Sequence, residues 1–164
     1  MTDPLPDFSP AEMLTRLVER GVDFVVIGGV AALLHGSAQL TTDLDITYAT
    51  DETNLEVLGE VLISLGARLR GVDDDVPFVP DGRTLRHTQI LCLQTDAGIL
   101  DVLAGPDGAP PYATLRTRAE RHRIGELPVL VASIDDLIAM KRAAGRPKDL
   151  AAIEDLEAIQ RLRS

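Results

Sequence analysis

Asp43 and Asp45 stand two residues apart in Thr42-Asp43-Leu44-Asp45-Ile46. Leu44 to Tyr48 reads as a strand with Asp43 at its entrance, and alternate residues of a strand share a face. Two carboxylates side by side repel each other unless a cation lies between them. Hard oxygen donors of this kind suit Mg²⁺, or Mn²⁺ in its place, an ion that keeps its other positions for water and substrate phosphates. Upstream, the apolar run Phe24-Val25-Val26-Ile27 reads as a buried strand and closes on Gly28-Gly29. Backbone without side chains can approach a ligand closely, and the first N–H groups of the helix expected from Val30 to His35 can receive phosphate oxygens. Taken alone, each signal is weak. Asp-x-Asp is common in acidic chains, and Gly-Gly after a strand is more often a turn. Their conjunction puts a phosphate cradle beside a metal site, which is the arrangement phosphoryl transfer needs.

The block Val26-Ile27-Gly28-Gly29, then thirteen residues, then Asp43-Leu44-Asp45 resembles the signature of the DNA polymerase beta superfamily of nucleotidyltransferases. Gly28-Gly29-Val30-Ala31, His35-Gly36, Thr42-Asp43-Leu44-Asp45 and the late Lys141…Arg146-Pro147-Lys148-Asp149 look like its AbiEii-type branch, which includes the toxins of the AbiE and MenT toxin–antitoxin systems. The likeness runs from about Val22 to Leu156. It implies a third carboxylate on a later strand, for which Asp101 in Gly98-Ile99-Leu100-Asp101-Val102-Leu103 is the matching candidate. An Asp inside an apolar strand costs several kcal/mol unless paired or metal-bound, so its placement asks for a reason. The plainer reading is an exposed Asp on an edge strand.

By the same resemblance Lys141 contacts the nucleotide triphosphate, while Arg146, Lys148 and Asp149 shape the pocket. Without it, Lys141, Arg142, Arg146 and Lys148 read as a solvated helix–turn cluster. The implied activity is Mg²⁺-dependent transfer of an NMP from an NTP to a hydroxyl acceptor. Asp43, Asp45 and Asp101 hold two metal ions and Gly28, Gly29 and Lys141 orient the triphosphate. Relatives modify RNA ends, partner proteins or small molecules such as aminoglycosides, and a cognate partner protein fits a toxin–antitoxin or defence setting. Against the toxins of that branch the chain is short, with only a brief helical tail. Two other readings compete: an inactive nucleotide-binding or protein-interaction module on the same fold, and an acidic antitoxin-like partner protein.

Ser37 is a candidate phosphate contact or a turn former beside Gly36. His35 reads as a structural side chain of the short helix. Arg116, Arg118, Arg121, His122 and Arg123 gather positive charge; on a strand, Arg121 and Arg123 would share a face suited to a phosphate-bearing acceptor or to surface carboxylates. Cys92, the single cysteine, excludes an internal disulfide framework and is expected to be a buried, inert thiol.

The elements that must position these residues follow from pattern. The chain has 164 residues, 45% of them apolar, with no Trp, two Tyr and three Phe, so its core is aliphatic. A net charge of −10 argues against a generalised basic surface for nucleic acid. There is no charged stretch followed by an apolar one at the start and no apolar run of membrane-spanning length, so a cytoplasmic protein without membrane contact is expected.

Ser9-Pro10-Ala11-Glu12 predicts a capping box and a helix to Gly21. Helical spacing covers Asn54 to Leu65 and a short strand Ala67 to Leu69; Gly71 to Gly82, with Asp73-Asp74-Asp75, reads as an acidic loop, solvated or acting as a lid. Thr88 to Thr95 and Ile99 to Leu103 form one expected hairpin, Ala119 to Ile124 and Leu127 to Val131 another. A turn or short helix lies around Tyr112 to Leu115, and Ser133 and Pro147 open two final helices. The fold class is α+β: a mixed β-sheet flanked by helices, in one nucleotidyltransferase domain over residues 1–164, with a core of about 9–132 and a C-terminal helical segment of about 133–163.

Overall fold

Apolar residues at helical spacing and alternating apolar strands build two layers around one sheet. The computed structural model describes residues 8–71, 81–87 and 89–163. Its elements in chain order are α1 (Pro10–Glu19), β1 (Phe24–Ile27), α2 (Gly28–His35), β2 (Asp43–Tyr48), α3 (Glu52–Ser64), β3 (Arg68–Leu69) and α4 (Gly82–His87). Then follow β4 (Ile90–Thr95), β5 (Gly98–Leu103), α5 (Tyr112–Arg118), β6 (Glu120–Ile124), β7 (Leu127–Val131), α6 (Ile134–Ala144) and α7 (Pro147–Arg163). The strands form one mixed sheet in the order β3-β4-β5-β2-β1-β7-β6. β2 runs parallel to β5 and β1 parallel to β7, and the other neighbours are antiparallel. The expected α+β class, a mixed sheet flanked by helices, is the observed one. No helix among the described residues is long and apolar enough to cross a membrane.

Period-two burial sets the strand faces. Leu44, Ile46 and Tyr48 of β2, Leu100 and Val102 of β5, and Leu91 and Leu93 of β4 are buried, joining Met13, Leu14 and Leu17 of α1 and Leu55, Leu58 and Leu62 of α3. Asp43, Asp45 and Asp101 alternate with these and so emerge on the opposite face.

Several expectations are corrected. Ser9 does not cap α1 through its side chain; its N–H donates to the Ala97 carbonyl at 2.8 Å, which ties it to the β4–β5 turn. Helix α3 starts at Glu52, because the Asp51 side chain accepts from the Asn54 N–H at 3.1 Å and caps it two residues earlier than periodicity suggested. Cys92 is exposed rather than buried: Leu91 and Leu93 take the core side of β4, so the alternation turns Cys92 outward beside its register partner Asp101. Most of the acidic loop, including Asp73, Asp74 and Asp75, and the expected strand residue Thr88 lie outside the described residues. Beyond that loop the chain forms α4, a helix not expected from the sequence, where the Asp81 side chain accepts from the Thr84 N–H at 2.8 Å.

One buried side chain joins the strand ends to α3. Asn54, 6% exposed, accepts from the Asp23 N–H at 2.8 Å and donates to the carbonyls of Asp23 and Ala49 at 3.0 and 2.7 Å. It therefore clamps the entry of β1 to the exit of β2. Asn54→Ala leaves those backbone groups unpaired, and urea denaturation should show a loss of about 2–4 kcal/mol; a loss under about 0.5 kcal/mol refutes the clamp.

Candidate active site

Strand register brings the carboxylates together. In the parallel β2–β5 ladder Asp45 is the direct partner of Asp101, and Asp43 precedes Asp45 by one pleat. β5 lies between β4 and β2, so Asp101 is not on an edge strand. One oxygen from each of Asp43, Asp45 and Asp101 lies within 4.8 Å of the others. Oδ1 of Asp45 and Oδ1 of Asp101 are buried without a hydrogen-bond partner. Burial first, then repulsion from Asp43 and Asp101, pushes the Asp45 carboxyl up to about 8. Burial likewise raises Asp101. Such a group resists ionisation until positive charge arrives, and three hard oxygen donors of this kind fit a divalent cation such as Mg²⁺.

The glycines answer to a neighbour within the chain. Ile27, the last residue of β1, pairs with Asp45, so Gly28 sits directly against that side chain. A Cβ on Gly28 would lie 2.1 Å from Asp45 Oδ2, and its φ of +70° is itself a glycine conformation. A Cβ on Gly29 would lie 2.7 Å from Thr41 Oγ1. The close approach the sequence suggested for a ligand is made here by the site's own carboxylate. Helix α2 begins at Gly28, two residues earlier than expected, and no side chain caps its start.

Across from the sheet, the turn between α6 and α7 supplies cations. Asp149 is 1% exposed and anchors them. It accepts from Arg146 Nε at 2.8 Å and from the Arg146 amide at 3.0 Å, and lies 3.5 Å from Lys141 Nζ. The Arg146 hydrogen bonds hold its carboxyl below the usual range. Lys148 is exposed and makes no ion pair with any described residue.

A cleft of about 660 Å³ separates the two walls. Gly28, Gly29, Ser37, Asp43, Asp45, Asp101, Lys141, Arg146, Lys148 and Asp149 all line it. Two of them also tie the walls of the cleft together. The Ser37 hydroxyl donates to Asp155 of α7 and accepts from the Gln39 N–H, so it ties the segment after α2 to α7. Asp149 holds Lys141 and Arg146 in place from beneath.

Sequence reasoning missed Gln39, Leu40, Thr41, Asp107 and Met140, which also line it. Thr41 was detectable only by its place before the Asp pair; its hydroxyl donates to the Asp43 carbonyl at 3.1 Å. The arginine cluster disperses. Arg116 pairs with Asp23 and Arg118 with Asp136, while Arg121 and Arg123 are exposed on β6, separated from β2 by β1 and β7 and outside the cleft lining.

No family model and no curated protein matches the chain. Solved structures do. The lincosamide antibiotic adenylyltransferase LnuA, in a lincomycin-bound structure, is similar over 93% of this chain and 99% of that one, with a TM-score of 0.62 and 16% identity. The antibiotic-resistance factor ANT(2'')-Ia matches over 94% of this chain and 82% of its own, with a TM-score of 0.59 and 16% identity. An antigenic nucleotidyltransferase-like protein from Paracoccidioides brasiliensis follows at 0.52, 18% identical over 94% and 78%. The chain has the nucleotidyltransferase fold. At these identities the likeness is one of fold, and the nucleotidyltransferase fold places the ends of β2 and β5 and the start of α2 around a single cleft.

Carboxylate crowding has a measurable cost in the metal-free protein. Asp45 keeps a proton in the folded chain at pH values where the unfolded chain, with its ordinary value of 3.8, has lost it. Stability therefore falls as pH rises between 3.8 and about 8. In EDTA, Asp45→Asn should be more stable than the parent above about pH 8, by on the order of 1–3 kcal/mol, with the gap closing in acid. Thermal melts across that range decide it, and equal melting points throughout contradict the crowding. Gly28→Ala has the opposite sign: the clash and the positive φ together should cost more than about 2 kcal/mol, read in the same melts.

Proposed function

We propose that the protein is a divalent-metal-dependent nucleotidyltransferase that moves an NMP from an NTP to a hydroxyl acceptor. One observation carries the reading: on this fold, three clustered carboxylates, two of them with an unpartnered buried oxygen, face a cationic wall across one cleft. Asp43, Asp45 and Asp101 are the residues that would hold Mg²⁺ or Mn²⁺. The ion supplies charge neutralisation at the transferring phosphate.

The chain's own residues do the rest. The uncapped start of α2 at Gly28-Gly29 offers backbone N–H groups to phosphate oxygens. Lys141 and Arg146, steadied by Asp149, meet the charge of the β- and γ-phosphates, and Lys148 adds a further cation at the rim. Attack by the acceptor oxygen forms a new bond to the α-phosphorus while the bond to the β-phosphate oxygen breaks, pyrophosphate leaves, and Asp101 takes the acceptor proton. Preorganised charge of this kind is the main source of catalysis in phosphoryl transfer.

A small hydroxylated molecule is the acceptor class we favour. The solved relatives named for an acceptor carry antibiotics, a lincosamide for LnuA and adenylyl-2''-tobramycin on ANT(2'')-Ia. The match covers 99% of LnuA. Exposed Leu40 and Ile90 at the cleft give an apolar surface against which such a molecule can rest. An RNA end, a partner protein and the AbiEii-type toxin–antitoxin setting are supported by the motif blocks alone.

The test is transfer of α-labelled nucleotide. Each NTP is incubated with Mg²⁺ or Mn²⁺ and with aminoglycosides, lincosamides, total RNA or lysate. Label should reach a small-molecule acceptor, and Asp43→Asn or Asp45→Asn should reduce transfer by about a thousandfold or more. Lys141→Ala should lower kcat/KM by about a hundredfold. Activity that survives either Asp substitution sinks the assignment. Tight NTP binding with no transfer to any acceptor identifies a binding module instead.

A further inference from the structure

Away from the cleft, the far end of α2 meets the sheet edge in a second cluster of ligating atoms. His35, the last residue of α2, is 5% exposed, and its Nε2 lies 2.7 Å from the Ala132 carbonyl. A carbonyl only accepts, so Nε2 carries a proton and donates, and in the neutral ring Nδ1 is a bare lone pair. That Nδ1 is buried without a hydrogen-bond partner. It sits 3.3 Å from Glu120 Oε2, a second acceptor. Two acceptors so placed repel unless something positive lies between them.

The strand supplies the rest. Glu120 and His122 are alternate residues of β6 and project from the same face. The His122 ring meets His35 edge-on, with centroids 5.0 Å apart. One ligand atom from each of His35, Glu120 and His122 lies within 4.8 Å of the others. Arg163 lies 3.1 and 3.2 Å from the two Glu120 oxygens and pairs with that carboxylate.

We propose that His35, Glu120 and His122 form a binding site for a divalent transition metal of the Zn²⁺ class, separate from the carboxylate cleft. Two imidazole nitrogens and one carboxylate oxygen are the donors Zn²⁺ prefers and Mg²⁺ does not. The Ala132 carbonyl behind His35 is the outer partner that fixes the tautomer of a metal-ligating histidine. Bond lengths of about 2.0–2.2 Å require a small closure of the three atoms. His35 is fixed in the interior, so the closure comes from Glu120 and His122 on the edge strand. The ion clasps the end of α2 to β6, and through Glu120 and Arg163 to the end of α7. Three protein ligands leave a fourth position for water.

The experiment is Zn²⁺ titration of the tag-free full chain in excess Mg²⁺, in competition with a chromophoric chelator, on protein carrying Asp45→Asn so that the cleft does not contribute. One equivalent of Zn²⁺ should bind and raise the melting temperature. His122→Ala and Glu120→Gln lie on the sheet edge, where circular dichroism can verify the fold, and each should weaken binding by more than about tenfold. No bound equivalent overturns the proposal. Binding that survives both substitutions overturns it as well.

Discussion

Three carboxylates that repel one another are held together by the register of two strands, and much of the molecule serves to keep them there. Asp45 and Asp101 are partners in the parallel β2–β5 ladder, so neither can withdraw without breaking backbone pairing. The opposite face of the same strands, with Leu44, Ile46, Leu100 and Val102, is buried in the core. A one-residue slip would send aspartates into that core and leucines into the cleft, at a cost far above the repulsion it relieved. Apolar burial on one face thus sustains electrostatic tension on the other, as strained functional groups commonly require.

The rest of the cleft is arranged around that tension. Gly28 is where β1 hands the chain to α2, and only the lack of a side chain lets the helix start press against Asp45. Facing it, the α6–α7 turn gathers Lys141 and Arg146 on the buried Asp149. Unlike the three sheet aspartates, Asp149 has its charge fully met, which is why burial raises Asp45 while hydrogen bonding lowers Asp149. Two environments for the same side chain divide the labour: one set of carboxylates is left wanting a cation, the other is spent on positioning cations.

Helix α2 connects the two ends of this arrangement. Its first residue contacts Asp45 and its last, His35, reaches the Ala132 carbonyl before α6 and the edge strand β6. Ser37 then bonds Asp155, tying the following segment to α7. A short helix anchored at both ends is a stiff support for backbone N–H groups, which is what the proposed phosphate contact would require.

Local order decided much of what could be read in advance. Glycines after an apolar run, an Asp pair at strand spacing, and Ser133 and Pro147 before helical patterns each act through their own backbone, so the order of elements other than α4 and the α+β class were legible from the chain. Asp101 was singled out because the superfamily resemblance implies a third carboxylate, and an acid within an apolar strand is costly enough to ask for a reason. Partners distant in sequence were not. That Cys92 faces outward, that Ser37 bonds Asp155, that Asn54 bridges β1 and β2, and that Arg121 and Arg123 lie off the cleft depend on strand order and on which face packs inward. His35 shows the division most clearly. From sequence it is one histidine on a short helix; its neighbours Glu120 and His122 come from a strand some 85 residues later, joined to it only by the sheet. Short-range physics determined the residues able to do chemistry, whereas long-range pairing decided which of them meet, because register and burial are properties of the whole sheet.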